Sequence, residues 1–154
     1  MKLRCIGLLL ALATCPQAVF ADLLARYEAA AEQTSRNLIG FYLSRLPEHA
    51  DKMPSTEWEA IDREIAVCVL ARVEDEKGPD AAENLIVLFE SMVTIEVTTF
   101  AGVMELMSVQ ITDATALAAL SECGQMERNA LRDQESGLMD LVSDPGIAAR
   151  LRAD

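Results

Sequence analysis

A long stretch from Asp80 to Val109 has no proline and a single glycine. On a wheel at ~100° per residue, Leu85, Leu88, Phe89, Met92, Val93, Phe100, Val103 and Met107 share a broad apolar arc. Glu83, Glu90, Thr94, Thr98 and Glu105 lie opposite. Such a pattern predicts a central helix packed against several neighbours. Val93, Ile95 and Val97 alternate with Thr94, Glu96 and Thr98, which is also strand-like. No turn residue bounds that segment, so the helix is the expectation. Glu96 falls inside the apolar arc. There it needs an ionic partner, water or a proton.

Three further helices follow from the same reading. The first covers Asp22 to Leu46, with Leu23, Tyr27, Thr34, Leu38, Phe41 and Tyr42 on one face, and Pro47 ends it. The second opens with a Thr56–Glu59 capping box. It turns Trp58, Ile61, Ile65, Cys68 and Val69 inward and stops at Gly78-Pro79. Arg72 shares that face. Asp80 with Glu83 forms a similar start for the central helix. The fourth helix is capped by Thr112 and carries a seam of Ala116, Leu120, Cys123, Glu127, Ala130 and Gln134. A short last helix begins at Asp144-Pro145. The expected fold is therefore all-α: four main helices in an up-down bundle plus a short C-terminal helix. Arg45, Arg72, Glu96, Glu127 and Gln134 are the polar residues pointed inward. Matching levels across the hairpins brings Glu96 near Glu127, with Arg45 as the better-placed cation. Arg72 lies ~16 Å too far along the axis.

Length allows one domain among the 154 residues. Residues 1–21 read as a signal peptide: Lys2 and Arg4, the apolar run Ile6 to Ala13, Pro16, and the cleavage-site pattern Val19-Phe20-Ala21. That leaves 22–154 as a helical domain exported to the periplasm or secreted. The apolar run is too short for a permanent anchor, and Glu90, Glu96 and Glu105 argue against a membrane span further on. Leu12-Ala13-Thr14-Cys15 resembles a lipid-attachment box, but Thr14 departs from the small residue usual there. All 25 acids lie beyond Ala21, so loss of Lys2 and Arg4 makes the net charge of −12 more negative by two. Nucleic acid and anionic lipid should be repelled. A basic envelope protein could be attracted.

Cys68 and Cys123 remain after processing, and in an oxidising compartment an isolated pair is expected to form a disulfide. It closes a loop of ~56 residues and contributes roughly 4 kcal/mol. Level-matching in a simple bundle sets the two ~13 Å apart along the axis, against the ~7 Å that a disulfide spans. The disulfide and the simple bundle therefore conflict.

The chain has one histidine, His49, in a polar loop with Glu48, Asp51 and Met53. It has no nucleophile elbow, no phosphate loop and no metalloprotease motif. Glu96 and Glu127 could divide acid and base roles only if their environments differed. Met92, Met104, Met107 and Met126 would suit Cu(I) or ordinary core filling. The sequence thus leads to a non-catalytic protein-binding or structural module, with no cofactor implied. The alternative is a periplasmic carrier of a small ligand or metal, such as copper, in a cavity lined by Arg45, Glu96, Glu127 and methionines.

Overall fold

Proline and glycine set most of the boundaries. A computed structural model describes residues 16–153, all-helical among those residues, with no strand. Helix α1 spans Pro16–Arg45 and is followed by a 3₁₀ segment, Pro47–Lys52. Then come α2 (Ala60–Lys77), α3 (Pro79–Val93), α4 (Phe100–Ser108) and α5 (Ala114–Glu122). The chain closes with α6 (Gln125–Ser136), α7 (Leu138–Ser143) and α8 (Pro145–Arg152). Most of the expected signal peptide, including Lys2, Arg4, the apolar run and Cys15, lies outside the described residues. Phe20 lies inside them, in α1, and packs on the core; cleavage after Ala21 would remove that contact.

The expected central helix is two helices. Residues 94–99 leave the helical path, and Thr99 starts α4 by accepting the Gly102 N–H at 3.2 Å. β-Branched residues lose side-chain freedom in a helix, and this segment is dense in Val, Ile and Thr. The segment folds back over the first turn of α4, so close that a Cβ on Gly102 would lie 2.1 Å from the Glu96 carbonyl oxygen. Only glycine admits that approach.

The expected fourth helix is also divided. Gly124 takes a left-handed φ of 83° between α5 and α6, and Gly137 does the same at 85° between α6 and α7. Asp113, not Thr112, caps α5 by accepting the Ala116 N–H at 3.0 Å. Asp144 caps α8 as expected, accepting the N–H groups of Gly146 and Ile147. At α2 the capping pair lies three residues later than the sequence suggests. Asp62 accepts the Glu59 N–H at 2.8 Å, while the Trp58 N–H goes to Glu32 at 2.9 Å. Helix α3 begins with Pro79 at its first position, after Gly78 at φ 87°.

Two apolar clusters form, and α1 runs along both. Leu23 and Tyr27 join Trp58, Val69, Leu70, Ile86 and Leu120 in the first. Phe41 joins Leu46, Val97, Val103, Leu106 and Leu151 in the second. A 30-residue helix is about 45 Å long, enough to serve both ends. Arg26 ties α1 to α3 through Glu83 and Glu90, each at 2.8 Å. The Cys68–Cys123 disulfide joins α2 to the end of α5, with Cα atoms 5.9 Å apart. It forms because the chain breaks at 94–99 and at 109–113, so α5 packs directly on α2 and the level arithmetic of two continuous helices does not apply.

Candidate functional site

Between the two clusters, the face of α1 beneath α6 carries two chambers. The first, about 290 Å³, is walled by Tyr27, Ala31, Trp58, Phe89, Met92 and Met126. The second, about 310 Å³, is walled by Leu38, Tyr42, Pro54, Met107, Leu138 and Met139. Ser35, Asn129 and Arg132 border both, so the chambers form one groove with a polar waist. Concave, mostly apolar spaces with a few convergent polar groups are the usual form of small-molecule sites.

The first chamber has a rigid aromatic wall. Tyr27 stacks on Phe89 with ring centres 4.6 Å apart, and Trp58 meets Tyr27 edge-on at 5.3 Å. Burial pushes the Tyr27 phenol well above its ordinary value, so it stays neutral. The opposite wall is α6. Gln125, Asn129 and Arg132 recur at i, i+4 and i+7 and line the chamber as one polar stripe. Gln125 Nε2 donates to Asn129 Oδ1 at 3.1 Å, which orients the amide. The Gln125 Oε1 atom is then buried with no hydrogen-bond donor reaching it among the described residues. A buried acceptor left unmade costs about 1–3 kcal/mol, which a donor brought by a ligand would recover.

Helix α6 buries none of its own residues. It is held by charge. Asp62 on α2, only 2 % exposed, accepts from Arg128 Nε at 3.0 Å and from Arg132 Nη2 at 2.6 Å. Burial alone would raise the Asp62 pKa. The Arg128 hydrogen bond, the Glu59 N–H and the charges of Arg132 and Arg128 outweigh it and hold the carboxyl below its usual range. Arg128 also reaches Glu59 at 3.0 Å. Arg132 donates only to Asp62 among the described residues, and its other nitrogens remain for the groove. In the second chamber, burial raises the Asp133 pKa, against the pull of Arg132.

The inward polar residues expected from sequence are placed elsewhere. Glu96 is exposed in the 94–99 segment, where Thr98 donates to it at 3.3 Å; it borders a broad surface hollow over α1. Glu127 and Gln134 are exposed on α6. Gly124 resets the helix phase, so the seam from Ala116 to Cys123 does not continue into them. Arg72 is exposed and pairs with Glu122. Arg45 is half-buried, lies 5.7 Å from the Phe41 ring centre and donates to the Ala153 carbonyl. Glu96 and Glu127 are thus both in solvent, one in the 94–99 segment and one on α6, and not the inward-facing pair the sequence suggests. Met104, Met107 and Met126 are all exposed; Met92 and Met126 border the first chamber and Met107 the second, while Met104 borders neither. The methionines therefore do not form one thioether cluster. Among the described residues, no three His, Cys, Asp or Glu side chains gather as a metal site, and no helix is long and apolar enough to cross a membrane.

Sequence reasoning missed Asp62, Arg128 and Arg132. Gly124 was the available signal. Restarting the wheel after it puts Gln125, Asn129 and Arg132 on one face. No family model matches the chain, and no curated protein or solved structure matches it either.

Proposed function

We propose that this chain is an exported, non-catalytic helical module that binds a small amphipathic molecule in the groove between α1 and α6. One observation carries the reading: the aromatic-walled first chamber faces a polar stripe in which the buried Gln125 Oε1 has no donor. Export is supported by the basic and apolar leader pattern and by a disulfide, which persists in oxidising compartments. Absence of catalysis is supported by the lack of any nucleophile–base arrangement in the sequence. Native mass spectrometry tests the binding reading. Protein purified from its own compartment should carry a small molecule that is lost in Ala31→Trp, which fills the first chamber. An empty wild-type spectrum would weigh against it. Edman or mass analysis of the N-terminus should find Asp22 first; an uncleaved chain in the cytosol would defeat the export reading.

The acidic surface favours a second reading, contact with a basic envelope protein. The net charge of −12 is carried largely by exposed side chains such as Glu74's neighbours Asp75 and Glu76. Such an interaction should weaken steeply with salt; a partner whose affinity is salt-independent would exclude it.

A further inference from the structure

We infer that the first chamber selects an elongated, flat apolar molecule with an anionic group at one end and a hydrogen-bond donor towards the other. The inference rests on the binding reading above and names the ligand class. The stacked Tyr27–Phe89 pair with Trp58 edge-on suits a planar body. The two polar ends are set by α6. Gln125 Oε1 accepts and has no partner. Seven residues on, Arg132 keeps nitrogens unused by Asp62. At 1.5 Å per residue their backbones stand about 10 Å apart along the helix.

Charge complementarity favours the anion at the Arg132 end. Two guanidiniums, at 15 % and 17 % side-chain exposure, face one buried carboxylate, Asp62. The other acids that act on Arg128, Glu59 and Glu135, are exposed to solvent. The buried part of the cluster is therefore one positive charge in excess, on a chain that is otherwise strongly acidic. Asp133 borders the second chamber and not the first, so the anion is placed in the first. Asn129, whose oxygen is taken by Gln125, adds its amide N–H groups between the two ends.

Three naphthalenes test this on the full chain: 6-hydroxy-2-naphthoate, 2-naphthoate without the donor, and 2-naphthol without the anion. Titration is followed by calorimetry and by quenching of Trp58, the sole tryptophan. Hydroxynaphthoate should bind at least tenfold more tightly than naphthol. Arg132→Gln should bring that ratio close to one. Gln125→Leu should bring hydroxynaphthoate down to the affinity of naphthoate. Arg132→Lys, which keeps the charge where Arg132→Gln fails to fold, should retain part of the preference. Equal binding of naphthol and hydroxynaphthoate would overturn the ligand class while leaving the binding reading standing. Failure of all three to bind would overturn both.

Discussion

Replacing Asp62 with asparagine isolates what fastens α6 to the protein. Asparagine keeps the shape and an oxygen for the Glu59 N–H, now 2.8 Å away. It loses the charge facing Arg128 at 3.0 Å and Arg132 at 2.6 Å. Removing one side of a buried ion pair costs on the order of 3–5 kcal/mol. Here both guanidiniums retain some side-chain exposure, 15 % and 17 %, and can hydrate in part. We therefore expect a cost below that range, about 2 kcal/mol. The loss should be concentrated in α6, because that helix has no buried residue to resist release. Hydrogen exchange followed by mass spectrometry resolves this. Amides of 128–136 should lose roughly 30-fold in protection, the factor equivalent to about 2 kcal/mol, while those of 65–73 stay as they were. The pH dependence has a definite sign. The Asp62 carboxyl is held below its ordinary value in the fold. Its contribution is thus complete above the unfolded pKa near ~4 and is lost as pH falls through the folded value. The wild-type advantage over Asp62→Asn, read by urea unfolding, should shrink below pH ~4. Unchanged exchange in α6, or an advantage that grows in acid, would refute this account of the latch.

Three other predictions bear on the fold. Joint replacement of Cys68 and Cys123 by serine should cost about 4 kcal/mol in urea unfolding, given the 55-residue separation. Gly102→Ala and Gly40→Ala should differ in sign. At Gly40 nothing lies within 4 Å of the added methyl, so the helix gains up to ~1 kcal/mol. At Gly102 the methyl meets the Glu96 carbonyl at 2.1 Å, so we expect a net loss of about 1–3 kcal/mol in thermal melts. Arg26→Ala should cost about 1 kcal/mol at low salt and less in 1 M salt, because Glu83 and Glu90 are 47 % and 41 % exposed.

Much of the architecture was legible where backbone chemistry is decisive. Pro47 and Gly78-Pro79 mark real helix ends, and Asp144-Pro145 a real start. Cys68 and Cys123 were paired from compartment chemistry, although bundle geometry argued against it. The two long helices were over-extended for opposite reasons. In 94–99 the apolar periodicity continued through a run of β-branched residues whose own preference is extended. At Gly124 the expected seam from Ala116 to Gln134 runs across a single glycine, and only its left-handed conformation reveals the break. The groove was illegible for a further reason. Its polar stripe depends on the helix phase after Gly124, and its aromatic wall combines residues from α1, the 53–59 loop and α3.

Because α6 is fastened by three side chains and sinks nothing into the interior, the proposed groove and the fold overlap at one position of this helix, Arg132. Positions 125 and 129 can change identity without disturbing that latch or the packing of Leu70, Ile86 or Leu46, whereas Arg132 serves both the groove and the latch. Selectivity is therefore open to revision, by drift or by design, on a scaffold whose thermodynamic stability is set elsewhere. A library randomised at those two sites, with Asp62, Arg128 and Arg132 kept, would vary the proposed groove at little risk of collapse.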